Sequence, residues 1–323
     1  VEYFIRESER MTTPARLETI AVVGNGIIGH GIAQVFAMSG KQVLLIGRRN
    51  ESLARAIDNI RKSLEQFQSH GLITEEESVN TVNRIRTSTN LGDAGVAQLV
   101  IEAVTENLGL KHDIFEQLDS ICEVPVVLGS SSGQPASALV DRVKHRERVI
   151  ATHFWYPPQL IPLVEVCPGP ETSVDVTPWV CEQLRNAGKE PVVIDKEIRG
   201  FIGNRLQFAM LREAWSLWAQ RVASADAIDA VVRNSFGRRL AITGPLESAD
   251  VAGLDTMYSF ARSLQPDLDT SSEPPLAVAD LVKEGRRGLP SGEGIYDWTK
   301  KDGEALLKSR MDELFRWLKC ERA

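Results

Sequence analysis

The run Thr19-Ile20-Ala21-Val22-Val23-Gly24-Asn25-Gly26-Ile27-Ile28-Gly29-His30-Gly31-Ile32-Ala33-Gln34-Val35-Phe36-Ala37 sets the architecture of this chain. Its opening, Thr19–Val23, is a short apolar, β-branched run, the pattern of a parallel strand buried on both faces. Three glycines then stand in G-x-G-x-x-G spacing, and a helical segment follows that Gly40 closes. Lys41–Ile46 reads as a second strand, so strand, glycine turn, helix and strand fit one βαβ unit of about 30 residues. Each glycine has a physical task in such a unit. Gly24 permits the tight turn, Gly26 lets the backbone approach a pyrophosphate, and Gly29 allows close helix–strand packing. The helix N-terminus adds N–H donors and positive dipole.

Working outward, apolar strands are predicted at Leu99–Val104, Val124–Leu128, Val149–Ala151 and Pro191–Ile194. Amphipathic helices separate them, such as Leu110–Ile121 with Ile114, Leu118 and Ile121 on one face. This alternation predicts an α/β fold, a doubly wound parallel (Rossmann) sheet. After Asp195 the strand signal stops, and Phe201–Val222 carries apolar residues at the spacing of one long helix. The expected organisation is an N-terminal extension over 1–17, a dinucleotide-binding Rossmann domain over 18–196, and an all-α substrate and dimerisation domain over 197–323.

Composition narrows the function. The 323 residues are 43% hydrophobic and 25% charged, with 37 Lys+Arg against 44 Asp+Glu and a net charge of −7. That is globular composition, and its sign argues against nucleic acid or an anionic membrane as the main partner. No apolar run approaches the roughly 20 residues of a membrane span. Cys122, Cys167, Cys181 and Cys320 are scattered, which reads as free thiols in a reducing, cytoplasmic setting. No cluster has metal-ligand spacing, and no metal is expected. The stretch Val1–Ala15 holds Glu2, Glu7 and Glu9 and no apolar h-region, unlike a secretory signal. Met11 is the expected native start.

The end of the second strand speaks to the cofactor. An NAD site usually places Asp or Glu about 20 residues after the glycines, on the ribose 2′-hydroxyl. Here the strand runs into Gly47-Arg48-Arg49, with no carboxylate until Glu51. Two guanidiniums suit a 2′-phosphate by charge and geometry. NADP is therefore the expected cofactor, with NAD as the alternative.

Three further clusters follow predicted strands or open the long helix. They are Ser130-Ser131-Ser132-Gly133; His153-Phe154-Trp155-Tyr156-Pro157-Pro158 with Ile161–Val166; and Gly200-Phe201-Ile202-Gly203-Asn204-Arg205. Residues just beyond strand C-termini converge on the cofactor crevice of a doubly wound sheet. Oxidising a secondary alcohol needs a base for the hydroxyl proton, and histidine suits that at neutral pH. A carboxylate such as Glu165 can hold the charged imidazole.

With Gly244–Asp255 and Ser291–Asp297, these motifs resemble the L-3-hydroxyacyl-CoA dehydrogenase family from Glu18 to about Trp298. The resemblance implies His153 as general base, Glu165 as its orienting partner, and Ser132 and Asn204 as contacts to the reacting oxygen. It also implies that Glu106 and Lys111 meet the nicotinamide cofactor, and that the protein is a homodimer. Tyr156 stands where the family usually has Asn, which predicts a reshaped substrate pocket. Arg199 replaces the usual Pro, and Ser130-Ser131 the usual Asn-Thr.

The implied activity is NAD(P)-dependent interconversion of a 3-hydroxy and a 3-oxo compound, the small-molecule substrate being an acyl-CoA. Pro157–Glu165 and Asn204–Ala209 look more like the family's free-acid branch, which includes L-gulonate 3-dehydrogenase, similar to lambda-crystallin, and carnitine dehydrogenase. Acyl-CoA members carry a lysine-rich helical segment that meets CoA. The corresponding Arg61–His70 holds two cations and one acid, so a free 3-hydroxy acid is the alternative substrate. A non-enzymatic, crystallin-like or cofactor-sensing role is the alternative of another class. His70, His112 and His145 receive no role, and His30 reads as a helix-surface residue.

Overall fold

The computed structural model describes residues 11–321; Val1–Arg10 of the expected extension lie outside the described residues. The chain divides into two compact units. The first runs to Ile202 and includes the C-terminal segment from Met311, and the second is Gly203–Arg310.

The first unit is built on one eight-stranded sheet: β1 (Thr19–Val23), β2 (Gln42–Ile46), β3 (Ile85–Ser88), β4 (Leu99–Glu102), β5 (Val127–Ser130), β6 (Val149–Phe154), β7 (Leu163–Pro168) and β8 (Glu190–Val193). The order is β3-β2-β1-β4-β5-β6-β7-β8. Every pairing is parallel except β6–β7. Helices α1 (Gly29–Met38), α2 (Asn50–Ser69), α3 (Glu75–Asn83), α4 (Leu108–Ile121) and α5 (Val176–Asn186) complete it. The central strands β1, β4 and β5 are buried on both sides, which explains the uninterrupted apolar run of β1. Ile20 and Val22 enter a core with Ile32, Leu53 and Val180, from α1, α2 and α5. Ala21 and Val23 enter a second core with Ile114, Phe115 and Leu118 of α4. Met11 and Leu17 pack into the first core.

Three strands depart from the sequence reading, and one of them is β7, which was not expected as a strand and pairs antiparallel with β6 where an all-parallel sheet was predicted. β3 was not expected, because Arg86 and Thr87 are exposed and the strand pairs only with β2, so its sequence carries no apolar run. β5 begins three residues later than predicted. Val124 is exposed, and Val126 N–H donates to the Glu123 carbonyl at 2.9 Å, so Val124–Val126 form a turn.

Helix α6 (Phe201–Ala219) leads into the second unit, which holds α7 (Ala225–Asn234), α8 (Pro245–Ala252), α9 (Leu254–Leu264) and α10 (Leu276–Lys283). α11 (Gly303–Glu321) leaves it, and its last turns belong to the first unit. There Phe315 is buried against Phe67 of α2, with ring centroids 5.1 Å apart, and stacks on His70 at 4.2 Å. Within the second unit the buried described residues are Ser216, Gly294 and Gly303, with no large apolar side chain among them. Leu206 and Met210, from the stripe that predicted α6, are exposed, as is Phe208 between them. No helix among the described residues is long and apolar enough to cross a membrane.

Candidate active site

β1 has β2 on one side and β4 on the other, so the turns leaving β1 and β4 part and open a crevice at their C-terminal ends. The glycine turn sits there. Gly24 has φ +112°, and a Cβ on it would lie 2.5 Å from the Ala103 carbonyl oxygen. A Cβ on Gly29 would lie 1.8 Å from the Gly24 carbonyl oxygen, so that position admits glycine alone. A Cβ on Gly26 would meet nothing within 4 Å. The turn is thus tight where it touches protein and open at Gly26, the surface a pyrophosphate needs. His30 closes the turn rather than simply lining the helix: its Nδ1 lies 2.7 Å from the Gly26 carbonyl oxygen. Burial pushes its pKa down, against the opposing effect of that bond. Arg48 and Arg49 follow β2, both exposed, and neither enters an ion pair among the described residues.

The second group forms on the antiparallel pair. His153 of β6 and Glu165 of β7 are register partners, and Nδ1 of His153 lies 2.8 Å from Oε2 of Glu165. Glu165 is buried and accepts further bonds. Trp155 Nε1 donates to Oε2 at 3.2 Å and Ile202 N–H to Oε1 at 3.0 Å. Trp155 stands edge-on to the imidazole at 5.5 Å, and the tilted Phe201 ring lies 5.7 Å from it. Phe201 has φ +49°, the left-handed region that disfavours a bulky side chain. Gly200 before it donates its N–H to the Gly133 carbonyl at 3.0 Å, joining the α6 start to the serine loop.

The serine loop and the turn after β4 form the third group. Ser132 is buried, and its hydroxyl donates to Oε2 of Glu106 at 2.8 Å. Lys111 was expected to meet the cofactor. It is 1% exposed and donates to both oxygens of Glu102, at 2.8 and 3.0 Å. Its Nζ is 3.9 Å from Oε2 of Glu106. Asn107 caps α4, its Oδ1 accepting from Leu110 N–H at 2.9 Å. Asn204 belongs to the second unit, three residues along α6 from Phe201. Tyr156 is 60% exposed and precedes a cis bond to Pro157. Among the described residues no group of three or more His, Cys, Asp or Glu is arranged to hold a metal ion.

Sequence reasoning passed over Glu102, Trp155, Phe201 and the His30 contact. The one visible signal was Glu102, an acid inside the apolar run Leu99–Val104.

Comparison with known proteins places the chain in a family. Residues 19–198 match the 3-hydroxyacyl-CoA dehydrogenase NAD binding domain, and residues 200–298 match the C-terminal domain of the same family. The 3-hydroxyadipyl-CoA dehydrogenase of Escherichia coli (strain K12) is 34% identical over 95% of this chain, which spans 64% of that protein's length. Lambda-crystallin of Oryctolagus cuniculus is 38% identical over 81% of each chain. A solved structure of 5-formyl-3-hydroxy-2-methylpyridine 4-carboxylic acid 5-dehydrogenase, described as an NAD+-dependent dismutase, superposes with a TM-score of 0.86 at 29% identity. That match covers 94% of this chain and 98% of the other.

Proposed function

The chain belongs to the 3-hydroxyacyl-CoA dehydrogenase family, and from that premise we propose that it interconverts a 3-hydroxy and a 3-oxo compound, with His153 as general base and Glu165 as its anchor. The observation that carries this is the 2.8 Å bond from Glu165 to His153 Nδ1. It leaves Nε2 as the nitrogen for the substrate hydroxyl. In the oxidative direction His153 takes the hydroxyl proton, and Glu165 stabilises the imidazolium that forms. In the reductive direction the imidazolium returns it. Ser132 is the neutral donor for the reacting oxygen; for Asn204 the same role rests on the family resemblance alone. The glycine turn and the α1 N-terminus would hold the dinucleotide, with Glu106 toward its nicotinamide end; Lys111, buried against Glu102, would act only from behind it. When bound, that cofactor supplies the hydride acceptor or donor.

Arg48 and Arg49 support a preference for NADP over NAD, since two unpaired guanidiniums at the end of β2 suit a 2′-phosphate. The exposed apolar surface of the second unit supports a homodimer. Four free cysteines, three of them buried, support a reducing compartment such as the cytoplasm.

A specific observation favours a free acid over an acyl-CoA as substrate. On α2, Arg61 pairs with Asp58 at 3.0 Å, and the Phe67 and His70 end is covered by Phe315. Within Arg61–His70 this leaves Lys62 as the one exposed lysine or arginine outside an ion pair among the described residues, a sparse charge for a CoA phosphate, with Arg55 a further free cation earlier on the helix. The match over nearly full length to an enzyme of a small pyridine carboxylic acid points the same way. The test follows the nicotinamide absorbance with acetoacetyl-CoA and a panel of free 3-oxo acids, each with NADH and NADPH. Turnover of the free acids with NADPH supports this reading, and turnover of acetoacetyl-CoA alone assigns the CoA substrate. Silence on the whole panel, with nucleotide still bound, overturns the enzymatic proposal.

A further inference from the structure

Glu102 takes no part in the proton transfer, yet its carboxylate is 0% exposed at the C-terminal end of β4, in register with Val23 of β1 and Ser130 of β5. A Glu–Lys pair at such depth is costly to desolvate, and apolar residues of similar volume are commonly at least as stabilising. Stability therefore does not account for it. Its hydrogen bonds point elsewhere. Oε1 accepts from Val104 N–H at 2.6 Å, the start of the turn that displays Glu106. Lys111, on the helix where that turn ends, donates to both carboxylate oxygens. Oε2 also accepts from the Ser130 hydroxyl at 2.7 Å, and Ser130 Oγ accepts from Ser132 N–H at 3.2 Å. Ser132 Oγ reaches Glu106, and Glu106 stands 3.9 Å from Lys111, so the ring closes. The same turn borders the glycine turn, because Gly24 packs on Ala103.

We propose that Glu102 is a positioning residue for the dinucleotide site: it holds the turn that displays Glu106 and the backbone that displays Ser132, so that this pair keeps a single placement. The inference rests on the reading that Glu106 and Ser132 face the cofactor and the reacting oxygen. Small displacements of positioned groups are costly to catalysis. Glu102→Gln keeps the volume and one acceptor but removes the charge that holds Lys111.

The experiment titrates NADH by fluorescence and measures kcat and KM with whichever carbonyl substrate of the panel turns over, recording the thermal midpoint of the same samples. Glu102→Gln is expected to raise the NADH Kd about fivefold and lower kcat about tenfold, with the carbonyl KM within about threefold. Combined with Glu106→Ala, it is expected to add nothing to the loss from Glu106→Ala alone. A lowered thermal midpoint with unchanged Kd and kcat overturns the proposal, as do additive losses in the double variant. Should Glu102→Gln fail to fold, Glu102→Gln/Lys111→Met removes both buried charges. The same kinetic loss in that variant supports the proposal, and wild-type values overturn it. Wild-type behaviour of both Glu106→Ala and Ser132→Ala would mean instead that the reading of the site itself is wrong.

Discussion

His153 Nδ1 meets Glu165 Oε2 at 2.8 Å because the two residues oppose each other across β6 and β7, the antiparallel pair of an otherwise parallel sheet. Directly opposed residues of such a pair have close Cβ atoms, so the backbone register brings the side chains together. The contact also fixes which imidazole nitrogen is left for substrate. His153→Gln is therefore expected to lower kcat by about 10²- to 10⁴-fold, the usual range for a lost general base. Glu165→Gln should cost less, since the imidazole is retained. NADH affinity, titrated by fluorescence, should stay within about twofold for His153→Gln, because the glycine turn lies on other strands. Undiminished kcat in His153→Gln would remove the base from the proposal.

Cofactor choice is tested at the end of β2. A charge-assisted hydrogen bond contributes about 1.5–3 kcal/mol, which corresponds to roughly 10- to 100-fold in affinity. Arg48→Asp/Arg49→Ser is expected to move the NADPH-to-NADH ratio of kcat/KM toward NADH by about that factor. An unchanged ratio would mean that neither guanidinium meets the 2′ position.

How much of this was legible in the sequence depends on where each signal lies. The βαβ unit was readable because Thr19–Val23 is buried on both faces and leaves no polar alternation. Gly24 and Gly29 were readable because no other residue fits those positions. β3 was hidden by its exposed Arg86 and Thr87. Trp155 and Phe201 were hidden for a different reason. Their importance lies in touching His153 from separate elements, one across a carboxylate oxygen and the other from an unusual backbone conformation. Neither relation has a local pattern. Lys111 shows the limit most clearly: its motif was visible, but its burial against Glu102 required the fold.

Many large apolar residues of the second unit are exposed. Ile242, Leu246 and Val251 are 85%, 84% and 82% exposed, and α7 to α10 bury no residue. Large contiguous apolar surface marks an interaction site, and closed twofold dimers are the commonest oligomers. Light scattering is expected to give the mass of two chains, and Leu246→Asp/Val251→Asp to weaken that dimer. A mass of one chain for the wild type would end the homodimer proposal.

Acid stability should report on a buried pair far from the base. Arg148 is fully buried and donates to Oδ1 of Asp119 at 2.7 Å, and also to the carbonyls of Asp119, Cys122 and Glu123. Burial alone would raise the Asp119 pKa. The Arg148 hydrogen bond and charge, with the N–H groups of Lys144 and His145, outweigh it and hold that pKa below the ordinary value. A carboxyl whose folded pKa is depressed contributes stability above its unfolded pKa of about 3.9, and loses it as pH falls through the folded value. Asp119→Asn leaves the guanidinium buried without its counter-charge, a cost of about 3–5 kcal/mol at neutral pH. Denaturant unfolding at stepped pH should therefore show a wide gap between wild type and Asp119→Asn at pH 7. The gap should hold to about pH 5 and narrow below about pH 4. A gap that stays constant into acid would mean that the hydrogen bonds, which the asparagine can partly keep, matter more than the charge.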